Sequence, residues 1–283
     1  MFFVIQKEEG KNYNDIEFAI LMDVLDAYKH DHEYVTMKVD DFYADEDDFL
    51  LSERKLKSAD EFDERIKTGI PIGEISFVEK WLNIFHGIEY ENAIEIPPVL
   101  RTREFLKRKY SIVPAYEIPR TGYHFIKDAS RQKQFAKAGN VEEFIFDEMF
   151  EPKTDEFDMS VRFDYEHLYQ VSEIVNILSE YRVYVFQGEI NQVSCYKGDP
   201  LVFPDAELIK KAVSTYAKEV DSPKSFSLDV MVTDRGTCIG EVHNFTSIGL
   251  YGVDWDDSLL FAYKDGIDYI LNVNKPQTEC VVD

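Results

Sequence analysis

The sequence predicts an α+β protein. Two observations carry that prediction: a strand–helix–strand opening at the N-terminus, and hairpin-forming strands that dominate the C-terminal two-thirds. The 283 residues suffice for one large domain or two smaller ones with a substantial core.

Phe2 to Gln6 reads as a buried first strand. A helix follows, opened by Asn14 and Glu17 as a capping pair, with Ile16, Ile20, Val24, Leu25 and Tyr28 on one face at helical spacing. Tyr34 to Val39 alternates Val35, Met37 and Val39 against Thr36 and Lys38, so it reads as a second strand. The six acids between Asp40 and Asp48 lack the glycine of a calcium loop and read as a solvated turn. Ile70 to Trp81 holds a strand-like run (Ile70, Ile72, Ile75, Phe77) with Gly73 inside. Ile96-Pro97-Pro98 breaks the chain and marks the end of an N-terminal α/β domain near residue 105. The basic stretch Arg101 to Tyr110 reads as a surface helix.

Tyr123 to Lys127 reads as a strand, Val141 to Phe150 as a helix, and Lys153 to Ser160 as a polar loop. Val171 to Val175 and Tyr181 to Phe186 are strand-like, with Gly188 turning the chain into Glu189 to Tyr196. Pro204 to Val220 is a helix with Leu208, Ile209, Ala212, Val213 and Tyr216 on one side. Two further strands flank the turn Asp234-Arg235-Gly236.

Composition narrows the class. Lys and Arg total 31 against 55 Asp and Glu, a net charge of −24, which argues against broad binding to nucleic acid or anionic membrane. Three scattered cysteines build neither a disulfide framework nor a zinc site and favour a reducing compartment. The N-terminus reads as neither signal peptide nor leader, no apolar run approaches a membrane span, and a cytoplasmic location is expected.

Three constellations can carry chemistry. In FIKDASRQKQF, Lys127 ends a strand and Arg131 and Lys133 follow on a loop, placing point charges suited to phosphates without a Walker A motif. A basic solvent-exposed loop explains the same residues. In SEYRVYV, Glu180, Arg182 and Tyr184 share one face of a strand while Tyr181, Val183 and Val185 face the core. Arg182 there suits either a structural ion pair or bidentate capture of a phosphate or carboxylate. In SLDVMVTDRGTCIGEVHN, a hairpin brings Asp229 beside Glu241, with His243 and Asn244 just beyond. Strict alternation puts Thr237, Ile239, Glu241 and His243 on one face and Cys238, Gly240, Val242 and Asn244 on the other, unless a bulge intervenes. An oxygen-rich cluster of that kind suits Mg²⁺; two acids at exposed strand ends would look the same in sequence.

The order of these pieces (lysines, an E-x-R strand with its hairpin, then D and E on adjacent strands) resembles the ATP-grasp superfamily over residues 120 to 265. It is most similar to the divergent two-lysine clade, which includes a eukaryotic cell-division-cycle protein that helps assemble a translation initiation factor, alongside bacterial and phage families. EYRVYVFQGEI resembles the E-[FY]-R-x-[FY]-V strand and hairpin of that clade, Lys127 and Lys133 fall where its two lysines belong, and DDSLLF resembles the segment after its metal strand.

The resemblance implies two α+β subdomains clasping ATP, after a pre-ATP-grasp domain of residues 1–105: a nucleotide-binding subdomain of about 106–175 and a metal-binding one of about 176–283. Adenine is then expected at the hinge, residues 170–176 with Val175, and ribose at Glu173. The phosphates are expected at Lys127 and Lys133, Mg²⁺ at Asp229 and Glu241 with His243 or Asn244, and the carboxylate substrate or its acyl phosphate at Arg182. Residues 128–140 are a candidate lid. The clade pattern after the second acid is E-x-N, and His243 stands in that asparagine slot; imidazole is a poor partner for Mg²⁺.

The implied reaction joins a carboxylate to an amine through an acyl phosphate at the expense of ATP, with a protein or peptide among the candidate substrates and a bacterial or phage source expected. The competing readings are an ATP-binding assembly factor that clamps a protein partner with little turnover, and a kinase that stops at the phosphorylated product.

Overall fold

The computed structural model describes residues 1–7, 14–29, 31–44, 55–90, 96–119, 123–129, 135–140, 168–252 and 256–274, with side chains of residues 14–20, 123, 128 and 135–140 excepted. Arg131, Lys133, the helix expected over Val141–Phe150 and the loop expected over Lys153–Ser160 lie outside the described residues, as do the side chains of Asn14, Ile16, Glu17 and Ile20.

The chain opens with β1 (Phe2–Gln6), α1 (Asn14–Ala27) and β2 (Glu33–Met37), and β1 pairs parallel with β2. A short helix, α2 (Glu64–Lys67), leads into β3 (Ile70–Ile72), which pairs parallel with the other edge of β1. Ile75 and Phe77 do not continue that strand. Gly73 packs so tightly on Gln6 that a Cβ there would come within 2.5 Å of its side-chain oxygen. Glu74 then begins α3 (Ile75–His86), where Phe77, Val78, Trp81 and Leu82 form the buried face at helical spacing.

Residues expected to form a basic surface helix make only α4 (Arg103–Leu106). Lys107 ends it in the left-handed region at φ 50°. β4 (Tyr110–Pro114), β5 (Tyr123–Asp128), β6 (Phe135–Asn140) and β7 (Leu168–Glu173) then form an antiparallel sheet in the order β4-β7-β5-β6. Part of the candidate lid is therefore the strand β6.

β8 (Ile177–Phe186), β9 (Glu189–Gly198), α5 (Ala206–Tyr216), β10 (Phe226–Thr233) and β11 (Gly236–Asn244) build a second antiparallel sheet, ordered β11-β10-β8-β9. Its two faces do different work. Val183, Val185, Phe226, Leu228, Val230, Ile239 and Val242 pack on Leu208, Ile209, Ala212 and Val213 of α5 and on Ile96, Leu100, Phe105 and Leu106. The other face carries Arg182, Asp229 and Glu241. Ile96 and Leu100, which precede the boundary expected near residue 105, thus pack with the C-terminal sheet.

The last helix, α6 (Asp257–Val273), turns back to the N-terminal sheet. Leu259, Leu260, Tyr263, Ile267 and Ile270 share one core with Phe3, Ile5, Phe77 and Trp81, joined by Tyr184 and Phe186 of the second antiparallel sheet and by Phe245 just after it. Among the described residues no helix is long and apolar enough to cross a membrane.

Gly266 of α6 sits against backbone: a Cβ there would lie 2.3 Å from the Phe245 carbonyl oxygen. An alanine in a helix interior normally stabilises by about 1 kcal/mol over glycine. Here the sign reverses, because rigid backbone must move. Gly266→Ala lowers the midpoint of urea unfolding; a raised midpoint contradicts this packing.

Candidate functional site

Strand register sets the site. Asp229 of β10 stands opposite Glu241 of β11 on one side and Arg182 of β8 on the other, and Arg182 stands opposite Ser194 of β9. Glu241, Asp229, Arg182 and Ser194 thus form a row across the sheet. A second row runs His243, Ser227, Tyr184, Gln192. On the other side of the acids lie Met231 and, opposite it, Glu180.

A bulge makes this arrangement possible. Asp229 pairs with Glu241 but Val230 pairs with Ile239, so Gly240 is an extra residue. Strict alternation would put Ile239 on the face of Glu241. The bulge instead lets Ile239 and Val242, three residues apart, face the same core, while Glu241 and His243 turn to the site.

Arg182 and Asp229 form a bidentate buried pair. Arg182 Nε donates to Asp229 Oδ1 at 2.7 Å and Nη2 to Oδ2 at 2.8 Å, with Arg182 7% and Asp229 5% exposed. Arg182 Nη1 donates to the Gly249 carbonyl at 3.0 Å. The guanidinium lies 4.9 Å from the Tyr251 ring centroid and 5.7 Å from that of Tyr196, two rings stacked 4.9 Å apart. Burial works against the Arg182 charge, but the Asp229 carboxylate more than offsets it and raises the pKa above the usual arginine value. The Tyr196 hydroxyl donates to Glu180 Oε2 at 3.0 Å and to Asp229 Oδ2 at 3.4 Å. Burial and those two carboxylates push its pKa up, so it stays a neutral donor.

Lys127 comes from the other antiparallel sheet. Its ammonium, on a residue 2% exposed, donates to Glu241 Oε1. His243 Nε2 lies 3.1 Å from Glu241 Oε2 and 3.9 Å from Asp229 Oδ2. Ligand atoms of Asp229, Glu241 and His243 all fall within 4.8 Å of one another. Burial raises the Glu241 pKa, but the His243 hydrogen bond and the Lys127 charge prevail and hold it at about 2.

Other residues lie elsewhere. Asn244 donates to the Tyr90 hydroxyl at 2.8 Å and accepts from Thr246 Oγ1 at 2.8 Å, so it braces the end of β11. Glu173 accepts from the Lys109 backbone at 3.0 Å and from Arg235 Nη1 at 2.7 Å, which ties the β10–β11 turn to the end of β7. Val175 lies beyond β7, in the three-residue link to β8.

Sequence reasoning missed Tyr196, Tyr251 and Arg108. Arg108 donates to the Ile239 carbonyl at 2.9 Å and to the Leu106 carbonyl at 3.2 Å, and burial lowers its pKa. No linear signal separates it from the neighbouring basic residues. The Tyr196–Tyr251 stack depends on the fold of residues 246–252, which carries no periodic pattern.

Among known protein families, residues 102–259 match the ATP-grasp domain, R-2-K clade family 2. The chain belongs to this family. No curated protein matches the sequence. Among solved structures, the D-cycloserine synthetase DcsG shares 8% identity and a TM-score of 0.52, over 95% of this chain and 100% of that one. D-alanine–D-alanine ligase from Bacillus anthracis, in complex with ATP, shares 14% identity and a TM-score of 0.48 over 96% of each chain. The macrocyclase MdnC from Microcystis aeruginosa, bound with precursor peptide MdnA, shares 13% identity and a TM-score of 0.43 over 98% of this chain and 100% of that one. The likeness to DcsG is one of fold alone. The fold is ATP-grasp, with its two antiparallel sheets meeting where Lys127 touches Glu241.

The buried charges have measurable weight. Asp229→Asn and Arg182→Met each destabilise the ATP-grasp fold by about 3–5 kcal/mol, because each leaves a buried charge without its partner. Combined, they cost clearly less than the sum, as a chemical-denaturation double-mutant cycle measures. Glu241 has a depressed folded pKa of about 2, so its contribution to stability is complete above the ordinary carboxylate value and is lost as pH falls through about 2. Glu241→Gln therefore flattens the acid limb of stability against pH below about pH 4.3.

Proposed function

We propose that this ATP-grasp protein is an ATP-dependent carboxylate–amine ligase that activates its carboxylate substrate as an acyl phosphate. The observation that supports this most is the meeting of Lys127 from one sheet with Asp229, Glu241 and His243 from the other. An ammonium beside two carboxylates is the charge pattern that a metal–nucleotide complex requires, with one group for phosphates and the others for a cation.

The donor set fits a divalent cation. Asp229 and Glu241 supply hard oxygens suited to Mg²⁺, and His243 holds the Glu241 carboxylate by a hydrogen bond. A bound Mg²⁺ supplies neutralisation of charge on the phosphate oxygens during transfer. Lys127 holds phosphate as a point charge, together with Lys133 further along the chain. Arg182 acts through Asp229, since its Nε and Nη2 are spent on that carboxylate and its Nη1 on Gly249; it is a positioning residue in this reading. Met231 offers an apolar, half-buried thioether beside the acids as a surface for adenine. The chain from β7 to β8, with Val175, supplies backbone groups for the adenine edge. Two acids are candidates for the ribose hydroxyls: Glu173, held by Arg235 and Lys109, and Glu180, which stands opposite Met231 and is held by Lys197 and Tyr196.

The test is ADP release with MgATP and a panel of carboxylates, peptides among them, each with and without amines. Release that needs both substrates, and falls at least about 100-fold in Asp229→Asn, supports the ligase. Nucleotide binding with no release above background for any pair favours a clamp on a protein partner. A stable phosphorylated product formed without amine favours a kinase.

A further inference from the structure

Every carboxylate oxygen of the two site acids is engaged. Asp229 Oδ1 accepts from Arg182 Nε, and Asp229 Oδ2 from Arg182 Nη2 and the Tyr196 hydroxyl. Glu241 Oε1 accepts from Lys127 and Oε2 from His243. Among the described residues one ammonium and one guanidinium pair with these two carboxylates. A bare divalent cation approaching Asp229 and Glu241 meets two cations, Lys127 and Arg182, already paired with them.

The two pairs are not equally easy to break. Arg182 is held by two parallel bonds to Asp229, a third to Gly249 and the faces of two tyrosines. Among the described residues Lys127 makes one polar contact, to one oxygen, from a strand of the opposite sheet, on a flexible stem with three rotatable donors. It is also nearly fully buried. Pulled off Glu241 without a new acceptor, its ammonium would be a buried unpaired charge, which is strongly unfavourable. A phosphate is such an acceptor.

We infer that Lys127 is an exchangeable counter-ion that occupies Glu241 until nucleotide arrives, so that metal binds with or after ATP and not before it. The inference rests on the nucleotide reading above. The phosphates draw Lys127 off Glu241, and the freed carboxylate becomes a metal ligand in the same exchange. The fold thereby rejects free metal at a cluster that would otherwise collect it.

Manganese is the probe, because the electron paramagnetic resonance signal of free Mn²⁺ reports binding without turnover. Wild-type full-length protein, without nucleotide, binds Mn²⁺ at least about tenfold more weakly than Lys127→Met. The gain disappears in Lys127→Met/Glu241→Gln, which places the metal at the acids. Adding a non-hydrolysable ATP analogue restores tight Mn²⁺ binding to the wild type. Lys127→Gln, close in length and neutral, carries the same comparison if Lys127→Met does not fold by circular dichroism. Wild type that binds Mn²⁺ alone as tightly as with the analogue overturns the inference without any variant and leaves the nucleotide site intact. So does an unchanged Mn²⁺ affinity in both Lys127 variants. Absence of calorimetric heat with the analogue and Mg²⁺ overturns the nucleotide reading itself.

Discussion

The buried pair of Arg182 and Asp229 is the constraint on which the rest of the site depends. Asp229 interrupts an apolar strand, between Leu228 and Val230, which are fully buried on the opposite face. A carboxylate at 5% exposure is tolerable only with full hydrogen bonding. Arg182, directly across the ladder, supplies two bonds and is kept in place by Gly249 and the stacked tyrosines. Residues 246–252 therefore belong to the site although none of them is charged. Gly249 shows how closely this segment is folded on itself, since a Cβ there would meet the Tyr251 ring at 2.8 Å.

From that pair the geometry spreads in two directions. Across the sheet, the bulge at Gly240 lets β11 keep Ile239 and Val242 in the core and still present Glu241 and His243 beside Asp229. Between the sheets, Lys127 joins β5 to β11, and Arg235 with Glu173 joins the β10–β11 turn to β7. Only the first of these links is buried; the Arg235 side chain is 41% exposed and that of Glu173 33%. An exposed pair contributes little energy, so the Lys127 contact is the one with consequences. Lys127 and Arg182 stand where two acids would otherwise repel each other.

The hairpin around Asp234-Arg235-Gly236 was legible because its turn chemistry is local, and with it the adjacency of Asp229 and Glu241. The E-x-R strand was legible from alternation, and Glu180 and Arg182 do share a face with Asp229's side of the sheet. Its two offered roles for Arg182, ion pair or anion grip, could not be separated without knowing that Asp229 lay opposite. The bulge was not legible: a glycine in a strand permits one without requiring it. From Glu241 onward the alternation is regular, so Asn244 faces away from Glu241, as strict alternation had it, and donates to Tyr90. The strand read through Ile75 and Phe77 failed because apolar residues two apart also occur on a helix; Trp81 and Leu82 complete the helical face. Arg108 and Tyr251 act through tertiary contacts that leave no trace in spacing.

The central claim is that side chains from two sheets converge to hold a metal–nucleotide complex. A crystal structure with a non-hydrolysable ATP analogue and Mg²⁺ tests it most directly. The account predicts the triphosphate between the sheets, Lys127 Nζ on a phosphate oxygen and no longer on Glu241, the metal on Asp229 and Glu241, and Arg182 still paired with Asp229. Nucleotide bound elsewhere, or Lys127 still on Glu241 with the metal seated away from both acids, contradicts it.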